Sequence, residues 1–144
     1  MKIFIDTNII LDFLLKRKSK SNIKDLYILF KNLEIWKIKW VTSDICISTA
    51  IYFLQKCKIP LDDIRKSMYI ILEKILICNA SKTILLKALS NPNFKDLEDS
   101  IQHQIALEND CKYIITNNTD DFQNSTIPAL TPTEFISLIN HKND

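Results

Sequence analysis

Met1-Lys-Ile-Phe-Ile-Asp-Thr-Asn-Ile-Ile-Leu-Asp12 combines a predicted strand, an acid and a predicted helix in direct succession. Lys2 to Ile5 is a short apolar run of strand-forming residues, and Asp6 follows where that run stops. Thr7 or Asn8 is predicted to cap a helix over residues 9–15. A carboxylate at the carboxyl end of a first strand lies where open α/β sheets bind their ligands. The alternative is that Asp6 only caps the helix, since aspartate is a preferred cap.

Length and composition predict one globular domain over residues 1–144, with 47% hydrophobic and 25% charged residues. No apolar run reaches the roughly 18 residues that would span a membrane, and the N-terminus lacks a signal-peptide pattern. We therefore expect a cytoplasmic protein without membrane association. The four scattered cysteines predict buried, reduced thiols rather than a metal site. The absence of glycine excludes Gly-rich phosphate loops.

Charge is unevenly distributed along the chain, although the net charge is only +2. Residues 16–39 contain eight basic and two acidic residues, whereas residues 91–121 contain seven acidic and two basic residues. A basic flank beside an acidic cluster suits a metal-using enzyme that acts on a polyanion. The alternative is a pair of solvated helix faces of opposite sign.

Strands and helices alternate along the rest of the chain. Further strands are predicted at residues 39–42, 75–78, 113–116 and 127–130, the third of these four ranges being the clearest and the last an edge strand because of its proline. The apolar run at residues 75–78 predicts a buried parallel strand. Helices are predicted at about residues 22–37, from Ser43 or Asp44 to before Pro60, and at residues 60–74, 81–89, 96–109 and 134–139. Ser21 is the predicted cap of the first of these helices, Ser43 or Asp44 of the second and Ser81 of the fourth. This order predicts an α/β fold with a small parallel sheet of four to five strands and helices on both faces, a three-layer α/β/α arrangement.

Two further groups of polar residues are candidates for chemistry. The first is Asp96-Leu-Glu-Asp99, at the start of a helix whose predicted polar face carries Asp96, Asp99 and His103. Leu97, Ile101 and Ile105 of the same helix are predicted to face the core. Its alternative explanation is that acids in a first helical turn are favoured without any function. The second is the loop after the clearest strand, where Asn118 and Asp121 supply oxygen atoms and Phe122 would anchor the loop. Its alternative is an ordinary Asn/Asp-rich turn.

The ends of two strands and the start of one helix thus bring oxygen ligands toward one sheet edge. Such ligands suit Mg²⁺ or Mn²⁺. Two divalent ions about 4 Å apart can activate a water and stabilise the leaving oxygen in phosphodiester hydrolysis.

With these groups in place, the sequence resembles the PIN-domain family, and its VapC-type toxin branch in particular. The resemblance covers nearly the whole chain and rests on the order and spacing of four pieces. They are Ile3-Phe-Ile-Asp-Thr-Asn-Ile-Ile-Leu-Asp12, Asp96-Leu-Glu-Asp-Ser-Ile-Gln102, Tyr113-Ile-Ile-Thr-Asn-Asn-Thr-Asp-Asp-Phe122 and Ile127-Pro-Ala-Leu-Thr-Pro-Thr-Glu-Phe135. The resemblance implies a Mg²⁺- or Mn²⁺-dependent endoribonuclease that cuts RNA, with an antitoxin partner and commonly a homodimeric state.

The resemblance also implies roles for individual residues. Asp6 matches the first aspartate of the family and Asp99 the aspartate that opens the late helix, so both are expected to bind the metal. Asp121 matches the acid that precedes the phenylalanine, and Asn118 falls where many members have an aspartate. The residues expected to support these ligands are Asn8, Thr116 and Asp96.

One family acid is missing. Many members carry a glutamate within the helical stretch that matches residues 48–52, where this chain has Thr49 and Ala50. Either Glu98 compensates as a metal ligand from the neighbouring helix, or the site is weakened.

Three hypotheses follow from these residues. The leading one is a metal-dependent ribonuclease. Asp6, Asp99 and Asp121 would hold the ion, with Asn118 and Glu98 in support, and the basic segment 16–39 would grip the RNA backbone. The second is a non-catalytic PIN module that binds RNA or a protein. A haloacid-dehalogenase-type phosphatase is disfavoured, because it requires an aspartate at position 8, which is Asn8. His103 is expected to be structural or solvated rather than a ligand.

Overall fold

The computed structural model describes residues 1–16, 23–32 and 34–143, with side chains through residue 141. Five strands form one parallel sheet in the order β3-β2-β1-β4-β5. The strands are β1 Lys2–Ile5, β2 Lys39–Ser43, β3 Ile75–Cys78, β4 Tyr113–Ile115 and β5 Ala129–Leu130. The predicted parallel α/β sheet is confirmed.

The opening strand β1 lies at the centre of the sheet. It pairs with β2 on one side, where Phe4 aligns with Val41, and with β4 on the other, where Ile5 aligns with Ile115. Ile3, Phe4 and Ile5 are fully buried. A continuous apolar run is what a central parallel strand requires, since helices cover both of its faces.

The sheet has a topological switch point between β1 and β4. From β1 the chain builds outward through β2 to β3, and it then returns to the other side of β1 to form β4 and β5. Because parallel crossovers are right-handed, this reversal places the two helices between β3 and β4 on the opposite face from those after β1 and β2. Ligands of open α/β sheets bind at the carboxyl ends of strands at such a point.

The helices form the outer layers. The four helices that precede β3 contact one another, and the two helices between β3 and β4 contact each other. The last helix contacts the second one. Their bounds are α1 Thr7–Leu15, α2 Ile23–Asn32, α3 Asp44–Lys56, α4 Leu61–Leu72, α5 Lys82–Leu89, α6 Leu97–Glu108 and α7 Pro132–Asn143. A short 3-10 helix spans Thr119–Phe122.

Several helix caps follow the sequence and one does not. The Ser43 and Ser81 hydroxyls accept from Cys46 N at 3.0 Å and Ile84 N at 3.2 Å, which confirms both serines as caps. Helix α1 begins at Thr7, so the prediction that Thr7 or Asn8 is its cap is wrong. Asp6 occupies the N-cap position, but its side chain makes no capping hydrogen bond. Its carboxylate is therefore free of the role that the alternative explanation gave it.

Two predicted helix boundaries are wrong. Helix α2 ends at Asn32, five residues before the predicted end at Lys37, and Ile35 is 74% exposed in the turn that follows. The suggested cap at Ser21 lies outside the described residues. Helix α7 begins at Pro132 rather than Glu134, because Thr131 and Glu134 form a reciprocal capping box at its start.

Burial departs from the prediction at three places. Strand β3 is an edge strand, with Leu76 47% and Ile77 39% exposed, so the predicted buried strand is wrong. Leu97 was expected to face the core and is 51% exposed, since it begins its helix at the rim of the site. The cysteines are free, but Cys57 is exposed rather than buried. The edge position of β5 is confirmed.

No helix in residues 1–16, 23–32 and 34–143 is long and apolar enough to cross a membrane.

Candidate metal centre

A cavity of about 290 Å³ opens at the carboxyl edge of the sheet, beside the ends of β1 and β4. Most of the predicted ligands line it together, from the end of β1, the start of α1, the start of α6 and the loop after β4. These residues are Asp6, Asn8, Asp96, Glu98, Asp99, Asn118 and Asp121. Residues from three distant parts of the sequence therefore converge at the switch point of the sheet.

Asp6 is held by a network of polar side chains. Its Oδ2 atom accepts from Thr116 Oγ1 at 2.7 Å and from Asn8 Nδ2 at 2.6 Å. Asn8 Nδ2 also donates to Thr116 Oγ1 at 3.1 Å, and the same hydroxyl accepts from Asn118 N at 3.1 Å. Thr116 is fully buried beneath the cavity. The network fixes one carboxylate oxygen, as expected of residues that support a ligand.

The pKa of Asp6 is raised because the carboxyl group is buried, and the nearby Glu98 charge adds to this effect. Hydrogen bonds from Thr116, the Thr7 backbone and the Gln102 side chain act in the opposite direction and lower that pKa. A buried carboxyl group that several donors surround is a prepared site for a positive charge.

The carboxyl group of Asp99 lies among the other acids of the cluster. Burial and the charges of Asp96, Asp121, Asp6 and Glu98 raise the pKa of Asp99 to about 7. The shift shows that these acids repel one another across a short distance, and a divalent cation would relieve that repulsion.

Asp96 has a second task in addition to lining the cavity. Its Oδ1 accepts from Glu98 N at 2.7 Å and from Asp99 N at 3.3 Å, so it caps α6. The favourable interaction of acids with a helix start is therefore present as well. Capping by Asp96 fixes the turn that presents Glu98 and Asp99 to the cavity.

Asp121 is presented by the short 3-10 helix. Phe122 is buried at 3% exposure and packs edge-on against Phe94, with ring centroids 6.3 Å apart. This confirms Phe122 as the anchor of the loop. The anchor holds Asp121 at the cavity while its carboxylate remains exposed.

The two residues at which the resemblance predicts a further acid, Thr49 and Ala50, differ in their surroundings. Thr49 lines the cavity, whereas Ala50 is fully buried in the core. A glutamate on this helix would therefore reach the site from position 49. Glu98 is exposed and lines the same cavity from α6.

The donor set fits a divalent cation in its chemistry. The lining offers carboxylate and amide oxygens, the ligands that Mg²⁺ and Mn²⁺ prefer, and no histidine or cysteine. Within the described ranges, no three Asp, Glu, His or Cys side chains already stand as a group that could hold a metal ion. Ligation would therefore require side-chain rotation, for which the exposed Glu98 and Asp121 are free.

A second cavity of about 330 Å³ shares Asp96, Asp99 and Asp121 with the first. Its other walls include Lys95, Gln123 and Asn124. Among the described residues that line either acidic cavity, Lys95 is the one cation.

Two lysines of the basic segment 16–39 lie away from the acidic cavities. Lys31 and Lys39 line a separate cavity that shares no described residue with the acidic ones. Lys39 begins β2, at the sheet edge opposite the carboxyl ends. Arg17, Lys18 and Lys20 lie outside the described residues. Lys31 and Lys39 therefore do not lie where they could bind RNA beside the acidic site, contrary to what the sequence predicts for the segment 16–39.

His103 is structural, as expected. It is 3% exposed, its ring packs 5.0 Å from that of Phe94, and its Nε2 lies 3.0 Å from Thr126 Oγ1. Burial lowers the pKa of His103. It does not line either acidic cavity.

Sequence reasoning missed several residues of the site. Gln102 and Thr7 line the cavity as buried polar side chains, and Leu11 and Phe53 contribute its apolar walls. Gln102 was detectable, since it follows Asp99 by three residues and so shares its helix face. A further missed contact joins two buried side chains, in which Asn117 Nδ2 donates a short hydrogen bond to Asp12 Oδ2. That bond ties the loop after β4 to α1.

Comparison with known sequences adds two findings. A PIN-domain family model matches residues 2–120. Ribonuclease VapC1 of Aquifex aeolicus is 34% identical over 139 residues, which cover 93% of this chain and 92% of that protein.

Two solved structures share the fold. One is a toxin–antitoxin complex from Klebsiella pneumoniae, at 23% identity and a TM-score of 0.66, with 90% of this chain and 97% of that chain covered. The other is VapBC2 from Rickettsia felis bound to a DNA fragment from its promoter, at 18% identity and a TM-score of 0.68, with 91% and 98% covered.

Proposed function

The chain belongs to the PIN-domain family, and on that basis we propose that it is a divalent-metal-dependent endoribonuclease, the toxin of a toxin–antitoxin pair. The 34% identity with a VapC ribonuclease over almost the full length supports this activity. The observation that carries the proposal is the convergence of Asp6, Asp99 and Asp121 on one cavity at the switch point of the sheet.

Asp6, Asp99 and Asp121 are the proposed ligands of Mg²⁺ or Mn²⁺, with Glu98 and Asn118 completing the set. Bound there, such an ion supplies a polarised water and neutralises charge that develops on the phosphate. Asn8 and Thr116 hold the Asp6 carboxylate in place, so that little reorganisation is needed when substrate arrives. Lys95, rather than the described part of the basic segment, is placed to bind an RNA phosphate beside the acids.

Glu98 takes the place of the acid that many family members carry on the helix after β2. Thr49 and Glu98 line the same cavity from different helices, so a carboxylate on either one can contribute charge to the same ion. This supports a competent rather than a weakened site.

The empty acid position at Thr49 also motivates a second candidate function, a PIN module that binds RNA or protein without cleaving. The two functions differ in their response to metal, because a ligand that binds the native state must raise its stability. A rise in melting temperature on titration with Mn²⁺ supports the nuclease. A melting temperature that does not change with Mn²⁺ supports the binding module.

An antitoxin protein is the proposed partner, and a cytoplasmic homodimer the proposed state. The structural neighbours from Klebsiella pneumoniae and Rickettsia felis are themselves toxin–antitoxin proteins, which supports the antitoxin. The dimer rests on the resemblance to the VapC-type branch alone.

The direct test is Asp6→Asn, assayed on total bacterial RNA with Mn²⁺ by sequencing of the new ends. The variant should lose cleavage, by roughly a factor of 10³ or more for a ligand of a catalytic ion, and keep its fold, because the amide oxygen can still accept from Thr116 and Asn8. Asp110→Asn is the matched control, since Asp110 lies before β4 at the opposite sheet edge and asparagine tolerates its φ of 56°. Cleavage by Asp6→Asn at the parent rate would show that Asp6 is not a ligand.

A further inference from the structure

Four buried side-chain atoms have no hydrogen-bond partner in the described part of the chain. They are Thr7 Oγ1, Trp40 Nε1, Gln102 Oε1 and His103 Nδ1. Thr7 and Gln102 both line the acidic cavity, and they are 8% and 3% exposed. Buried polar atoms are almost always paired, so the unpaired Gln102 oxygen at this cavity points to a partner that occupies it. The Thr7 hydroxyl interacts with the Cys46 thiol and keeps its capacity to accept a further hydrogen bond.

The orientation of the Gln102 amide is set by Asp6. Gln102 lies on α6 and its side chain acts as a hydrogen-bond donor toward the Asp6 carboxylate. A carboxylate accepts only, so the amide nitrogen must face Asp6. The amide oxygen then points away from Asp6 and is the atom left without a donor.

The chemistry of the missing donor follows from the site. A water molecule in the hydration shell of a cation directs its lone pairs to the ion, so only its hydrogens are available to the protein. Such a water therefore needs acceptors around it. The unpaired oxygen of Gln102 is such an acceptor on the wall of the acidic cavity, and the Thr7 hydroxyl, which also interacts with the Cys46 thiol, is a second one.

We infer that Gln102 is a positioning residue of the metal centre: its amide nitrogen orients Asp6, and its amide oxygen accepts a hydrogen bond from a water of the ion's hydration shell. Thr7 assists through its hydroxyl. This inference rests on the proposed function, because it requires that the cavity takes a divalent cation. Outer residues of this kind typically change metal affinity 10- to 100-fold.

The test compares Gln102→Met with Gln104→Met in Mn²⁺ titrations of the full chain, with free Mn²⁺ measured by electron paramagnetic resonance. Methionine keeps the length and removes both polar atoms. Gln104 is a matched control, since it is 8% exposed on the same helix and donates to Glu108 Oε1 at 3.0 Å, away from the cavity. Gln102→Met should weaken Mn²⁺ binding by roughly 10- to 100-fold, whereas Gln104→Met should bind as the parent does.

Melting of the metal-free variants separates positioning from a merely structural role, which would lower the melting temperature and leave Mn²⁺ affinity intact. Gln102→Asn is the second variant if Gln102→Met does not fold. The asparagine side chain is too short to reach both partners, so the same loss of Mn²⁺ affinity is expected. Unchanged Mn²⁺ affinity in a folded Gln102 variant overturns the inference and leaves the proposed function standing. A parent protein that binds no Mn²⁺ overturns both.

Discussion

Asp99 carries a half-buried carboxyl group among four other acids, and burial together with their charges raises its pKa to about 7. Because this pKa lies above the ordinary aspartate pKa of 3.8, the folded protein binds more protons than the unfolded chain between these pH values. Stability therefore falls as pH rises through this window, and the loss is complete above about pH 7. Without metal, the site is a source of instability at neutral pH.

Asp99→Asn should therefore stabilise the metal-free protein at about pH 8, where the parent carries the full repulsion. After a discount for partial exposure, the gain is about 1 kcal/mol, or roughly 3 °C in melting temperature for a chain of this size. The gain should vanish near about pH 3.5, where the aspartate is protonated in both states. Calorimetry at the two pH values measures it, and an equal difference at both would contradict the charge-based cause.

At the level of single residues, prediction from sequence worked where position along the chain determines position in the sheet. Asp6 and the Asn118 loop follow strands directly, and parallel strands end at one edge. Gln102 and the pairing of Asp12 with Asn117 were missed, because each depends on which buried side chains face one another across α1, α6 and the sheet. A sequence pattern does not contain that information.

Two helices, α3 and α6, face the acidic cavity from different sides, through Thr49 and Glu98. The resemblance implies an acid on α3 where this chain has Thr49 and Ala50, and the proposed function assigns the role of that acid to Glu98. Exchange of the carboxylate between the helices tests this assignment, since charge count is a main determinant of divalent-ion affinity.

Glu98→Gln should reduce Mn²⁺ affinity and RNA cleavage by roughly 10- to 100-fold, a range typical of a lost group near the ion. Addition of Thr49→Glu to that variant should recover most of the loss, because position 49 lines the same cavity. Thr49→Gln in the same background is the matched control of equal size without charge. If glutamate and glutamine at position 49 behave alike, a carboxylate on α3 does not substitute for Glu98.

The predicted elements were mostly correct, and the errors have physical causes. Strand β3 has the apolar composition of a buried strand but lies at the edge, because strand order depends on crossovers rather than on local sequence. The apolar pattern of helix α2 continues to Ile35, but the helix ends at Asn32. The chain then turns at residues 34–37, where Lys37 has a φ of 52°. This turn leaves Ile35 exposed. The spacing of apolar residues therefore predicted a longer helix than the one that forms.

At the scale of the whole molecule, the uneven charge of the sequence does not bring Lys31 and Lys39 beside the acidic site. Lys31 and Lys39 line a cavity away from the carboxyl edge of the sheet, and Lys95 borders the acids. Salt dependence of RNA binding can distinguish these positions, because each lysine that neutralises a phosphate adds to the slope of affinity against salt.

Lys95→Gln should weaken RNA binding and reduce the salt slope by about 0.7 for a single-stranded RNA, the amount expected for one lost phosphate contact. Lys39→Gln is the control, since it removes an equal charge at the start of β2, at the opposite sheet edge. Both changes are made in the Asp6→Asn background, so that the RNA is bound and not cleaved. Fluorescence anisotropy over a series of salt concentrations gives the slopes. A larger effect from Lys39→Gln than from Lys95→Gln would place the RNA on the basic segment instead, as the sequence alone predicts.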